Sequence, residues 1–223
     1  SDYAVKLAKK IGGEVISADS RQIYKGLDIG SGKITKKEMC GVPHHLLDVA
    51  NPKRVFTVAQ YKKLADKAIK DILTRGKTPI ICGGTGFYID AIICDVTFPA
   101  VPPNKSLRKT LEKLSLETLQ KRLKTLDPRR FDLVDKKNKV RLIRAIEIAT
   151  ALGSVPELKK TKSYDVEWVY LDFSDDALKK RIHIRLFARI RGIVTEVKKL
   201  HTQGVSWKRL ESLGLEYKYM ALY

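Results

Sequence analysis

Ala4, Val5, Leu7, Ala8 and Ile11 recur at helical spacing behind Ser1-Asp2 and stop at Gly12-Gly13. The chain therefore opens on an amphipathic helix with a good N-cap and a glycine stop. Short apolar runs at 14–18, 45–49 and 79–82 read as buried strands. Between the last two, Val58, Tyr61, Leu64, Ala65, Ala68, Ile69, Ile72 and Leu73 set a helix over 57–74. Strands alternating with helices predict an α/β fold with a parallel, doubly wound sheet. A helix at residue 1 with no strand before it is unusual for such a sheet, so residues are expected upstream. Pro99, Pro102 and Pro103 then break the pattern. From 104 to 152 the spacing is helical throughout, with Leu107, Leu111, Leu114, Leu119, Leu123, Leu126, Val140, Ile143, Ile146 and Ile148 as its apolar positions. Val166, Trp168, Val169, Tyr170, Leu171 and Phe173 read as a strand re-entering the sheet. The expected organisation is an α/β core at 1–100 and 153–223 with an all-helical insertion at 101–152.

Charge narrows the partners. The 223 residues are 43% hydrophobic, enough for a core, and carry a formal net charge of +19 with a pI near 9.8. Such an excess favours a polyanion, most often nucleic acid, although a solvated Lys-rich surface gives the same count. The excess is concentrated: residues 101–150 hold 14 Lys/Arg against 6 Asp/Glu, and residues 177–210 hold 10 against 1. Cys40, Cys82 and Cys94 are odd in number and lack CxxC spacing, which argues against a disulfide scaffold and a four-Cys zinc site and fits a reduced cytoplasm. No apolar run approaches the ~20 residues of a membrane span, and no leader pattern is present.

Five blocks carry candidate chemistry. In Glu14-Val15-Ile16-Ser17-Ala18-Asp19-Ser20 a strand ends on a carboxylate. Ligands of parallel α/β sheets sit beyond the carboxyl ends of strands, so Asp19 is placed at a reaction centre. Pro79-Ile80-Ile81-Cys82-Gly83-Gly84-Thr85-Gly86 is a strand, a glycine turn and a helix start. It could cradle a phosphate or be only a tight turn. His44 and His45 are strand neighbours on opposite faces, a poor metal pair; they contact nucleic acid or merely pack. Asn138, Arg141 and Arg144 recur every third residue along one helical stripe, either gripping phosphates or facing water. Arg181 and Arg185 stand at i,i+4, a guanidinium pair suited to a diphosphate.

Together these blocks resemble the tRNA dimethylallyltransferases (tRNA isopentenyltransferases) of bacterial type. The similar stretches are Asp19-Ser20-x-Gln22-Ile23-Tyr24-x-Gly26-Leu27-Asp28-Ile29-Gly30-x-x-Lys33, Gly41-x-Pro43-His44-His45-x-x-Asp48, Gly83-Gly84-Thr85-Gly86-x-Tyr88, Asp135-x-x-Asn138-x-x-Arg141-x-x-Arg144-Ala145-x-Glu147, Arg181-Ile182-x-x-Arg185 and Gly214-x-Glu216-Tyr217-Lys218. The chain departs after Arg185, where Ile190 stands in the family's Met region and Gly192 comes seven residues on instead of eight.

The resemblance implies a phosphate-loop NTPase-like core and a tRNA-gripping helical insertion. It implies transfer of a dimethylallyl group from dimethylallyl diphosphate to N6 of the adenine beside the anticodon, position 37, with Mg2+ as cofactor. It assigns Asp19 as general base and Thr85 to the donor's scissile oxygen. Ser1, Gly83, Gly84, Gly86, Arg181 and Arg185 fall to the diphosphate, and Ser20, Gln22, Tyr24, Lys33, His44, His45, Asn138, Arg141 and Arg144 to the tRNA anticodon stem-loop. Ser1 takes the place of the hydroxyl residue that ends the family's phosphate loop and ligates the metal; alternatively it is only a helix cap. Without the rest of that loop, the chain from Ser1 is expected to bind tRNA but not to turn over. A monomer, no membrane and a cytoplasmic location complete the expectation. A phosphate-loop kinase of a nucleotide or small metabolite is the alternative, and a non-enzymatic RNA-binding module a third reading.

Overall fold

The computed structural model describes residues 1–158, 161 and 164–223. They divide into two compact units, one formed by Ser1–Asp95 with Thr161–Tyr223, the other by Val96–Lys160.

The first unit is built on a parallel sheet of order β2-β1-β3, with β1 at Glu14–Ser17, β2 at His44–His45 and β3 at Pro79–Cys82. Val15 pairs with His44 and Ile80, and Ile16 with His45 and Ile81. All four β1 residues are buried, as the central strand of a parallel sheet requires. Helix α1 (Asp2–Ile11) closes on Gly12, whose φ of 65° is the left-handed stop the sequence indicates. A short α2 (Lys36–Met39) and the long α3 (Val58–Thr74) both start on capping boxes, Thr35 with Glu38 and Thr57 with Gln60. Tyr61 of α3 stacks on Tyr88 of α4 (Gly86–Ile93) at 3.9 Å. The Tyr61 hydroxyl donates to the Ser17 carbonyl at 3.1 Å, which ties α3 to the end of β1.

The second unit contains α5 (Lys105–Leu111), α6 (Leu116–Leu126), α7 (Pro128–Leu133) and α8 (Lys139–Leu152) around a separate core of Leu111, Leu119, Leu123, Leu142 and Ile146. Burying each such side chain stabilises by about 1.5–3 kcal/mol. The chain then returns to the first unit through α9 (Asp175–Thr202), α10 (Trp207–Ser212) and α11 (Leu215–Leu222).

Two expected strands differ. The one read over 45–49 is confined to His44–His45, because Leu46 (φ 63°) and Asp48 (φ 58°) adopt left-handed backbone that ends the pairing. The segment 166–173 forms no strand: it has no ladder partner among the described residues, and Tyr170 is 80% exposed. Its apolar residues fall on both faces, a pattern that predicts a strand only where neighbours exist to pair with it.

Candidate active site

The end of β1 and the end of β3 are strapped together. Ala18 N–H donates to the Cys82 carbonyl at 2.9 Å and Thr85 N–H to the Ala18 carbonyl at 3.1 Å. A Cβ on Gly83 would collide with the Ala18 backbone, so only glycine lets the two loops approach this closely. Ser20 N–H donates to Thr85 Oγ1 at 3.0 Å. The Thr85 hydroxyl is thus held as an acceptor with its own proton left to donate. Asp19 Oδ1 accepts from the backbone N–H of Arg21 at 2.7 Å and of Gln22 at 3.1 Å. Its Oδ2 accepts nothing from the described residues. Asp19 and Thr85, 66 positions apart in sequence, therefore share one surface at the strand ends, with Gly84 and Gly86 opening on free space beside them.

Beside this lies a small pocket lined by Ser1, Ser17, Gln22, His44 and Cys82 among others. The buried Ser17 Oγ has no hydrogen-bond partner there. Ser1 is exposed and makes no side-chain capping bond. His44 contacts the Val42 carbonyl through Nδ1 at 2.9 Å, and burial pushes its imidazole below its ordinary pKa.

Two arginines of α9 lie against the loop that carries Gly32. Arg181, Arg185, Arg189, Gly192 and Glu196 follow three- and four-residue steps along one continuous helix. Arg185 and Arg189 both crowd Gly32, where a Cβ would collide with either guanidinium. Arg181 stacks over the Phe173 ring at 4.6 Å. Glu196 is buried and accepts from the N–H groups of Asp28 (2.9 Å), Ile29 (2.7 Å) and Gly30 (3.1 Å), and from the Tyr217 hydroxyl (2.7 Å). Tyr217 in turn accepts from Ser31 N–H at 3.1 Å. One carboxylate and one phenol thus fix the loop that carries Gly32 and its two arginines. The sequence signal for Glu196 was its solitude, as the one acidic residue among ten basic ones over 177–210.

Several expected nucleic-acid contacts are spent inside the protein. Lys33 Nζ donates to the Tyr24 carbonyl (2.8 Å), Asp28 (2.7 Å) and Asp48 (2.5 Å), which uses all three of its protons. Tyr24 is buried, and its hydroxyl accepts from Phe56 N–H at 2.9 Å. His45 Nε2 meets the buried Glu14 carboxylate at 2.7 Å, in a cluster with Arg75 and Lys77 whose hydrogen bonds hold Glu14 far below the usual carboxylate range. Ser20 and Gln22 stay half-buried at the strand ends, with Gln22 Nε2 reaching the Gly32 carbonyl at 3.4 Å.

In the second unit the Asn138-Arg141-Arg144 stripe splits. Asn138 caps α8 by accepting from Arg141 N–H. Arg144 pairs with the buried Glu147 at 2.6 Å and donates to the Val101 carbonyl at 2.9 Å. Arg108 reaches the same carboxylate at 2.7 Å. Burial alone would raise the Glu147 pKa; the hydrogen bonds from Arg108, Arg144 and Asn104 N–H outweigh it and hold it at about 2. Arg141 alone of the three projects a mostly exposed guanidinium, 3.6 Å from Asp135. Among the described residues no cluster of three His, Cys, Asp or Glu gathers, no helix is long and apolar enough to cross a membrane, and all three cysteines are free thiols.

Comparison with known proteins shows the family. A family model described as IPP transferase matches residues 22–223. The tRNA dimethylallyltransferase 2 of Treponema denticola is 44% identical over 229 residues, covering 100% of this chain and 76% of that protein. The tRNA dimethylallyltransferase of Anoxybacillus flavithermus is 40% identical, covering 97% and 72%. Among solved structures, the full-length tRNA isopentenylpyrophosphate transferase of Bacillus halodurans superposes with a TM-score of 0.65 at 34% identity, over 98% of this chain and 72% of that one. A eukaryotic dimethylallyltransferase captured acting on tRNA gives 0.78 at 26%, over 93% and 55%. With the family model matching residues 22–223 and relatives matched over nearly the whole chain, this protein belongs to the IPP transferase family, that of the tRNA dimethylallyltransferases.

Proposed function

We propose that this chain transfers a dimethylallyl group from dimethylallyl diphosphate to N6 of the adenine at position 37 of tRNA, beside the anticodon. The observation that carries the reading is the Asp19–Ser20–Thr85 strap, which sets a carboxylate oxygen and a hydroxyl proton on one open surface at the strand ends. The relatives are named for prenyl transfer to tRNA, which disfavours the kinase alternative. The adenine nitrogen bonds to the allylic carbon as the carbon–oxygen bond to diphosphate breaks. An exocyclic purine amine is a weak nucleophile and must lose a proton as it reacts. Asp19 Oδ2 accepts that proton, while Oδ1 stays tied to two backbone amides. Thr85 donates toward the departing oxygen. The Gly83, Gly84 and Gly86 turn opens onto the start of α4, and Arg181 and Arg185 offset the charge of the leaving diphosphate.

The Ser1 hydroxyl, exposed and free of a cap bond, is the side chain that would hold Mg2+. A single protein oxygen completed by substrate phosphates and waters suits that hard cation. Bound there, it supplies charge stabilisation to the diphosphate.

The adenine must leave its stack to reach Asp19. We assign Val96–Lys160 to holding the anticodon stem-loop, with Arg141 as a direct phosphate contact and Asn138 and Arg144 as residues that keep α8 in shape. Ser20, Gln22 and His44 border the base; Lys33, Tyr24 and His45 act by building that border. The reading includes a monomer in the cytoplasm. Incubating the full-length protein with labelled dimethylallyl diphosphate and unmodified tRNA tests it: label in the RNA at position 37 is expected, and label transfer from ATP to a small acceptor instead would establish the kinase.

A further inference from the structure

A cleft of about 770 Å³ opens within the first unit and is lined by neither Asp19 nor Thr85. Its walls are the Lys25–Ile29 loop, the Val49–Lys53 turn and the C-terminal half of α9. Two carboxylates line it, and both are engaged within the protein. Asp28 is paired with Lys33 at 2.7 Å, and Glu196 accepts three backbone amides and the Tyr217 phenol. Three lysines line it as well, Lys25, Lys53 and Lys199, and none has an acidic partner among the described residues. The Asn51 carbonyl oxygen accepts from Lys53 N–H, which leaves its NH2 free to donate, and Gln203 adds a second side-chain amide. The cleft is therefore a concavity whose acids are engaged and whose bases are not. Such a shape focuses positive potential and draws a polyanion. No aromatic residue lines it, so it offers no platform on which a base could stack. Lysine ammoniums, as mobile point charges, contact phosphates without reading bases.

We propose that this cleft is a second seat for tRNA, taking its ribose–phosphate backbone at a point away from the reacting adenine. The inference rests on the tRNA reading above. It is tested by replacing the three lysines together, Lys25→Ala with Lys53→Ala and Lys199→Ala. The control removes equal charge from the exposed face of α3, by Lys63→Ala with Lys67→Ala and Lys70→Ala. Binding of unmodified tRNA is measured from low to moderate salt for both variants and the wild type. The cleft variant should lose about tenfold or more in affinity at low salt, and its slope of log K against log salt should shrink by roughly 2–3 units, one phosphate contact per lysine. The α3 variant should stay within about one unit of the wild-type slope. Equal slopes for the two variants, or wild-type binding by the cleft variant, would overturn the proposal. So would a cleft variant that loses binding of ATP while keeping that of tRNA, which would make the occupant a free nucleotide. A wild-type chain that binds no tRNA at all would instead overturn the function proposed above, and this inference with it.

Discussion

Asp19 divides its carboxylate between structure and chemistry, and the division can be separated by substitution. Asparagine retains an oxygen to accept from the Arg21 and Gln22 amides but has no basic oxygen to take a proton. Asp19→Asn should therefore leave tRNA affinity within a few-fold and thermal stability nearly unchanged, while single-turnover prenyl transfer falls by ~10²–10⁴. Retained transfer would remove Asp19 as the base. Glu147 shows the opposite case, a carboxylate whose work is structural. Its pKa lies at about 2 in the folded protein against an ordinary value of 4.5. A depressed carboxylate pKa contributes stability that is present above the unfolded value and lost as pH falls through the folded one. Glu147→Gln should cost about 2–3 kcal/mol near neutrality. In urea unfolding, the gap between variant and wild type should hold above pH 4.5 and close progressively toward pH 2. A gap independent of pH would mean the Arg108–Glu147–Arg144 network contributes nothing through charge.

At the scale of elements, α8 and α9 each turn a sequence stripe into a division of labour. On α8, three residues at one spacing perform three tasks: Asn138 caps, Arg144 braces Glu147 and Val101, and Arg141 faces water. Arg141→Ala should lower the salt slope of tRNA binding by roughly 0.7–0.9 units and leave urea stability unchanged. Arg144→Ala should lower stability, with any loss of RNA binding following from that. Equal effects of the two on the salt slope would restore the stripe to a common role. On α9, Arg185 and Arg189 meet the Gly32 loop at one level and Glu196 anchors that loop further along. The glycine stop of α1 and the span of α3 were legible because they depend on neighbours three or four residues away, while Ser1, read as a good cap, makes no side-chain capping bond. The 45–49 and 166–173 runs were not, because a strand depends on what lies beside it.

For the whole molecule, the separation of cores has consequences for stability. The core around Leu142 and Ile146 and the core around Ile16, Tyr61 and Tyr217 share no residue. A lesion in one should open that one first. In Glu147→Gln, amide hydrogen exchange should quicken in α5 to α8 and stay near wild type in β1, α3 and the C-terminal half of α9. Uniform acceleration across both units would show that they unfold together.

The sequence by itself determined the fold class, the basic character, the helices at the N-terminus, over 57–74 and across 104–152, and the blocks that carry the family resemblance, since all of these reside in local spacing and composition. It also placed Asp19 and Thr85 at strand ends, because a parallel sheet sends its reactive loops to one edge. Only the tertiary structure decided which charged groups remain available. Lys33 and His45 look in the sequence like free cations, yet each meets a carboxylate from a distant segment, Asp48 for Lys33 and Glu14 for His45, and the Glu147 that pairs with Arg144 on the same helix is also claimed by the distant Arg108. Lys25, Lys53 and Lys199, which carry no motif, line one cleft with no acidic partner among the described residues. Pairing between charges is settled by distances of a few ångströms in space, and residues far apart along the chain reach those distances only once the core has packed.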